Sequence, residues 1–99
     1  MKLVRPIKRI FKPRPYTQFM NFEDNCRKIY IHNNDEILSA WFALDQGELI
    51  KLVPSSFRTY EGILIKRLSI VSGFNDSIEV YAELDVNVPS SSLQLNKLA

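Results

Sequence analysis

A single histidine limits the nucleophilic chemistry that this sequence can support. His32 is the only histidine, and Cys26, six residues upstream, is the only cysteine. A Cys–His or Ser–His–Asp nucleophile would have to be built on His32, and no recognised motif surrounds it. Because Asn33 and Asn34 follow it at a turn signal, we interpret His32 as a surface or turn-capping side chain. We therefore expect a protein that is not an enzyme.

The carboxylates, glycines and potential metal ligands of this sequence do not form a recognisable site for a cofactor or a metal. Acidic residues occur as pairs at positions 23–24 and 35–36, where turns favour them, and as the row Glu79, Glu83 and Asp85 on one side of an alternating strand. A structural zinc site needs about four nitrogen or sulfur ligands, more than one cysteine and one histidine supply. The three glycines stand singly at turns, which does not match a phosphate-binding loop. We expect no metal, no cofactor and no small-molecule substrate.

Basic residues are concentrated at the N-terminus of the chain. Residues 1–16 hold six of the thirteen lysines and arginines and no acid, whereas residues 17–99 hold the other seven and all eleven acids, so the two parts carry +6 and −4. Such asymmetry is typical of an interaction tail. Pro6, Pro13 and Pro15 favour an extended or polyproline-like backbone, although residues 7–12 could form a helical turn. The sequence predicts an extended basic N-terminal arm.

Two interpretations of this arm compete. Its cations could bind nucleic acid through phosphate contacts, with Phe11 and Tyr16 stacking on bases. Phosphate binding does not need Leu3 or Ile7, and such apolar residues favour docking onto a protein. The prolines disfavour a membrane-surface helix, so we expect no membrane partner. The predicted partner-binding residues of the arm are Lys2, Leu3, Arg5, Ile7, Lys8, Arg9, Ile10, Phe11, Lys12, Arg14 and Tyr16.

The remainder of the chain has the period-two alternation of half-buried strands. The clearest example has apolar residues at every second position between residues 78 and 88. Turn signals separate the segments, and at residues 45–47 Gly47 is free to adopt a positive φ. Six or so short strands with turns near ten-residue intervals predict an all-β fold, a small antiparallel β-sandwich or open barrel. The predicted strands cover residues 27–32, 37–44, 48–53, 57–60, 63–71 and 78–88.

These patterns divide the chain into three parts. Residues 1–26 form the basic, proline-punctuated extended arm, residues 27–88 the β-sandwich body and residues 89–99 a short C-terminal tail. We expect the arm and the tail to contribute little to the core. In the tail, Leu93, Leu95 and Leu98 are typical of a strand or docking peptide, and we predict that they bind a partner.

Three segments of the body form a further pattern. An early strand that ends in Asn or Asp, here residues 27–35, precedes a Gly-Glu turn that leads into a strand, here Gly47 and Glu48. A late hairpin then combines an aliphatic–Ser–Gly turn with Val–x–x–Glu, here residues 70–73 and 80–83. Together these segments, roughly residues 28–85, resemble small β-sandwich structural proteins of tailed-bacteriophage virions. Gln46 departs from the pattern, in which proline often precedes the glycine.

The resemblance implies a structural virion component, either a capsid decoration or cement protein or a neck or tail adaptor. Such a protein is made in the host cytoplasm, becomes part of the virion and uses no cofactor. Its partners would be copies of itself and other virion proteins, contacted through the arm and the tail. The alternative is a small nucleic-acid-binding β-barrel that uses the basic arm. It predicts basic and aromatic residues on one exposed sheet face, and the acidic row of the last strand disfavours it.

Overall fold

Residues 4–85 are described by a computed structural model, and this part of the chain is all-β, with 66% of its residues in strands and no helix. The predicted fold class is therefore confirmed. Six antiparallel strands form one open sheet. The strands are β1 (Val4–Phe11), β2 (Gln18–Asn33), β3 (Ala40–Leu44), β4 (Ile50–Leu52), β5 (Phe57–Ile70) and β6 (Ile78–Asp85).

The sheet is bent so that its two halves face each other as two layers. Its strand order is β1-β6-β2-β5-β3-β4. The first layer contains β1, β6, the second half of β2 and the first half of β5. The second layer contains the first half of β2, the second half of β5, β3 and β4. Hydrogen bonds join the layers, from Asn33 Nδ2 to the Leu52 carbonyl at 3.1 Å and from Arg9 Nη1 to the Phe19 carbonyl at 3.5 Å.

Bulges bend β2 where it passes from one layer to the other. Its pairing with β5 shifts register between Asn21 and Cys26, and again between Cys26 and Lys28. Bulges of this kind turn a strand and increase its local twist. In β5, Gly62 lies in the same region with a φ of 80°, a left-handed conformation that glycine adopts without strain. The two longest strands therefore carry the sheet around the core.

One apolar core fills the space between the two layers. In β6, every second side chain from Ile78 to Leu84 is buried, as the period-two pattern predicted. The opposite side chains of β6 face outward and stay partly exposed. Core residues come from all six strands, and they include Phe11, Ile29, Phe42, Leu52, Leu68 and Val80.

The N-terminal segment is a strand of this sheet and not a separate arm. β1 pairs antiparallel with β6, from Val4 opposite Asp85 to Phe11 opposite Ile78. The helical turn that residues 7–12 could have formed is therefore replaced by strand, and of the two predicted backbone forms, extended and polyproline-like, these residues adopt the extended one. Phe11 is 1% exposed, so this segment contributes to the core. The physical reason is that β6 offers a row of backbone N–H and C=O groups that an adjacent strand can pair with.

The boundary predicted at residue 27 lies inside a strand. β2 begins at Gln18, and Met20 and Phe22 in its first half belong to the core. The sequence also predicted two separate strands, residues 57–60 and 63–71, with Glu61 and Gly62 between them. In the structure these segments form one continuous strand, β5. Both errors have one cause, since a bulge interrupts the local period-two pattern while the strand itself continues.

Some of the predicted binding residues lie outside the described part of the chain. These residues are Lys2 and Leu3 of the arm and Leu93, Leu95 and Leu98 of the tail. Their role in partner binding stays a prediction.

The turn at residues 45–47 forms as expected, but a different residue has the positive φ. The N–H of Gly47 donates to the Leu44 carbonyl at 3.0 Å, whereas the φ of 54° belongs to Asp45. Aspartate tolerates this region better than most residues. Its Oδ1 accepts hydrogen bonds from the backbone N–H groups of Lys66 and Arg67 at 2.7 and 2.9 Å. A Cβ at position 47 would lie 3.0 Å from the backbone oxygen of Leu44. Glycine therefore suits this position because the backbone of Leu44 comes too close for a side chain.

Replacement of Phe11 tests whether the N-terminal strand is part of the fold. Phe11→Ala should lower the free energy of unfolding by about 3–5 kcal/mol, because it leaves a cavity in the core. The matched control is Ile10→Ala, since Ile10 is 50% exposed and its loss should cost less than about 1 kcal/mol. Urea unfolding followed by circular dichroism measures both. Equal losses in the two variants would contradict the burial of β1.

Candidate functional site

The outer surface of the first layer carries three rows of side chains that run across four strands. Residues paired between neighbouring strands lie on the same face of a sheet, so the strand registers define each row. In the order β1, β6, β2, β5, the rows are Ile10, Glu79, His32 and Phe57; then Lys8, Tyr81, Tyr30 and Thr59; then Pro6, Glu83, Lys28 and Glu61.

Five of these side chains, Ile10, Tyr30, His32, Phe57 and Tyr81, form a surface that we call the aromatic face. The rings of Tyr30 and His32 are stacked, with centroids 6.3 Å apart and planes 2° from parallel. The Tyr30 ring also contacts Phe57 at 5.2 Å. Phe57 is 59% exposed. Rings of this kind, held on a layer of strands, can form apolar and stacking contacts with a partner.

One ion pair lies within the aromatic face and another lies beside it. Lys8 Nζ lies 2.7 Å from Glu79 Oε1, and Lys28 Nζ lies 3.4 Å from Glu61 Oε1. The hydrogen bond from Lys8 and its positive charge lower the pKa of Glu79. Partial burial raises the pKa of Tyr81. At neutral pH, therefore, Glu79 is ionised and the Tyr81 hydroxyl keeps its proton.

The predicted arm residues separate onto different surfaces and do not form one binding site. Successive residues of a strand point to opposite faces, so Lys8 and Ile10 lie on the outer face. Phe11 is buried and Ile7 packs against the core. Arg9 lies over the Phe11 ring, with Cζ 4.6 Å from its centroid. The remaining described residues of the predicted arm site are all exposed, and they are Arg5, Lys12, Arg14 and Tyr16.

The second layer has an outer surface of different chemistry, which we call the basic face and define as Phe19, Trp41, Lys51 and Arg67. Arg67 Cζ lies 5.2 Å from the centroid of the Phe19 ring, and Lys51 Nζ lies 6.0 Å from that of Trp41. Cations over aromatic rings are attracted by the ring quadrupole. The registers that place these residues on one face pair Phe19 with Ser69, Ser69 with Ala43, Asn21 with Arg67, and Trp41 with Lys51.

Sequence reasoning missed the basic face because it began β2 too late. The signal was present in the alternation of exposed Phe19 with buried Met20 and Phe22. It was overlooked because the charge and proline pattern had assigned these positions to the arm. The alternative function required basic and aromatic residues together on an exposed sheet face, and residues of both types occur here.

Two buried polar side chains hold the loop between β2 and β3. Asn33 Nδ2 donates to the Leu38 carbonyl at 2.9 Å. Asp35 Oδ1 accepts from the backbone N–H groups of Ile37 and Leu38 at 2.8 and 2.9 Å, and Oδ2 accepts from that of Asn75 at 3.1 Å. These bonds lower the pKa of Asp35, mainly through Leu38 and then Ile37. They fix a loop whose tip presents the exposed side chain of Ile37.

Cys26 and His32 do not form a reactive pair. Cys26 is fully buried in the core, where its S–H donates to the Lys28 carbonyl at 3.3 Å. Burial raises the pKa of this thiol to about 11. His32 lies on the aromatic face, with Nδ1 2.6 Å from Asn34 Oδ1. This contact agrees with the interpretation of His32 as a side chain that caps a turn.

Within residues 4–85, no group of three or more His, Cys, Asp or Glu side chains could hold a metal ion. The same residues include no helix that is long and apolar enough to cross a membrane.

Comparison with known proteins gives no family assignment. No protein-family model matches the chain, and no curated protein matches it. Among solved structures, it is similar to a de novo designed double-stranded β-helix determined by solution NMR. That similarity has a TM-score of 0.46 and 17% sequence identity, and it covers 83% of this chain and 99% of the design.

The Asp35 carboxylate should make stability depend on pH. Its pKa in the folded state lies below the ordinary aspartate value of 3.8, so its stabilising effect is present above that ordinary value and is lost as the pH falls through the folded pKa. Asp35→Asn should be less stable than the parent at neutral pH, and the difference should shrink in acid. Urea unfolding over a pH series measures this. Glu36→Gln, at an exposed neighbour, is the control, and an equally pH-dependent effect there would contradict the prediction.

The Cys26 thiol should be unreactive in the folded protein. Thiolates are the reactive form, and both burial and a pKa of about 11 suppress the thiolate at neutral pH. Ellman's reagent should therefore titrate one thiol rapidly in denaturant and react far more slowly under native conditions. Rapid reaction of the native protein would show that the bend of β2 opens.

Proposed function

We propose that this protein is a non-enzymatic structural component of a bacteriophage virion, which binds copies of itself and other virion proteins through the aromatic face. The observation that carries the proposal is the composition of that face, where exposed Phe57 contacts the Tyr30 ring, Tyr30 stacks on His32 and exposed Ile10 lies in the same row as His32. Aromatic residues are enriched at the centres of protein interfaces and supply much of their binding energy.

The charges of the first layer support a protein contact at this face. Lys8 pairs with Glu79 on the aromatic face, and Lys28 pairs with Glu61 in the adjoining row. A charge that is already paired costs less to bring into an interface than an isolated one.

The two edges of the open sheet, as residues 4–85 form it, are less suitable for binding another strand. β1 contains Pro6, which has no N–H to donate, and it carries the cations Arg5, Lys8 and Arg9. β4 has three residues and ends close to Pro54. Proline, positive charge and short length are features by which proteins prevent edge-to-edge pairing. This favours contact through the outer faces.

The virion part of the proposal rests on the resemblance of roughly residues 28–85 to small β-sandwich proteins of tailed-phage virions. In this proposal the protein is made in the host cytoplasm, uses no cofactor and acts as a capsid decoration or cement protein or as a neck or tail adaptor. The C-terminal leucines Leu93, Leu95 and Leu98 are proposed to contact a neighbouring subunit.

Self-association tests the role of the aromatic face. The full chain should form an oligomer in sedimentation velocity experiments at micromolar concentration. The double variant Ile10→Ala, Phe57→Ala should raise the dissociation constant about tenfold or more, because it removes two exposed apolar contacts. The matched control is Trp41→Ala on the basic face, which should leave the oligomer unchanged. A monomeric parent, or equal effects of both variants, would overturn the role of this face.

Mass spectrometry of purified particles tests the virion assignment. Particles collected from a lysed culture that encodes the chain should contain it in multiple copies. If the chain stays entirely in the soluble fraction after particle purification, the virion assignment is wrong.

A further inference from the structure

We infer that the basic face binds single-stranded nucleic acid, with bases stacking on Phe19 and Trp41 and phosphates bound by the surrounding cations. This activity goes beyond the proposed assembly role, because it uses the opposite layer of the sheet. The two rings are 47% and 41% exposed, respectively. Each therefore offers surface on which a base can stack, an interaction that accepts any base because every base has a π face.

The strand registers place the two rings at a separation that suits a bound strand. Phe19 pairs with Ser69, Ser69 pairs with Ala43, and Trp41 lies two residues from Ala43 on the same face. The rings are therefore offset by about 10 Å across the sheet and about 7 Å along it. A single strand of several nucleotides can cross both rings, whereas the paired bases of a duplex are not available for stacking.

Two arginines contact Phe19, one at its ring and one at its backbone, and a lysine lies in the segment before it. Arg67 lies over its ring at 5.2 Å, and Arg9 Nη1 contacts its carbonyl at 3.5 Å. Lys12 is held nearby, since its carbonyl accepts a hydrogen bond of 2.8 Å from Gln18, the residue before Phe19. An arginine plane can itself stack on a base while its charge attracts phosphate.

The charge of the described chain is divided in a way that favours this face. The second layer and the segments nearest to it, residues 9–25, 40–52 and 65–71, contain six basic side chains and four acidic ones, a formal +2. The other described residues contain five basic and seven acidic side chains, a formal −2. One of the four acids, Asp45, already accepts hydrogen bonds from the backbone of Lys66 and Arg67. The charge of the second layer and its neighbouring segments therefore favours a polyanion, whereas that of the remaining described residues does not.

Fluorescence anisotropy with a labelled oligothymidine strand, and with a duplex of equal length, tests the inference across a salt series. The full chain should bind the single strand more tightly than the duplex. Phe19→Ala should weaken binding about fivefold or more, which is the lower end for loss of one base–aromatic stack. Arg67→Gln should reduce the slope of log affinity against log salt by about 0.7, the value for one phosphate contact on a single strand.

The matched control is Ile37→Ala, which removes an exposed apolar side chain that belongs to neither the aromatic face nor the basic face and should leave the affinity unchanged. Circular dichroism establishes that each variant is folded. The inference is overturned if the strand does not bind at low salt, if the duplex binds equally well, or if Ile37→Ala weakens binding as much as Phe19→Ala does. Those outcomes leave the sedimentation result for the aromatic face intact, so the two proposals fail separately.

Discussion

The bend of β2 is the constraint on which the rest of the structure depends. Among the described residues, its first half pairs only with β5 in the second layer, whereas its second half pairs with both β5 and β6 in the first. Because one strand belongs to both layers, Met20 and Ile29 on either side of the bend face the same core. Cys26 suits the bend because it is small and apolar, and its S–H satisfies the carbonyl of Lys28 where the ladder is interrupted.

A sheet that bends around its own core has one inner face and two outer surfaces that point away from each other. This geometry separates the aromatic face from the basic face, although β2 and β5 contribute to both. Phe19 and Tyr30, for example, belong to the same strand but to opposite layers. A partner bound to one layer therefore leaves the other layer accessible, so assembly through the aromatic face is physically compatible with nucleic-acid binding on the basic face.

The success of sequence reasoning varied from strand to strand for a physical reason. β6 lies between two other strands, β1 and β2, and its alternation of apolar and polar residues from Ile78 to Leu84 could be recognised in the sequence. β1 is an edge strand, and its inward positions include Arg9 between Ile7 and Phe11. At the rim of the sheet the guanidinium can lie over the Phe11 ring and still reach solvent. Arg9 therefore interrupts the apolar alternation of β1 although the strand continues through it. Without that alternation, the basic composition of the segment indicated an arm.

The sequence by itself determined the all-β class, most of the turns and the inward residues of β6, because these depend on local backbone preferences and on a two-residue period. It also indicated that exposed apolar residues and cations occur in the N-terminal segment. Only the tertiary structure decided that this segment pairs with β6, and that Phe19 of β2 shares a surface with Trp41 of β3. Those positions are joined through β5, and register between distant strands is set by the burial of the whole core, which no local pattern contains.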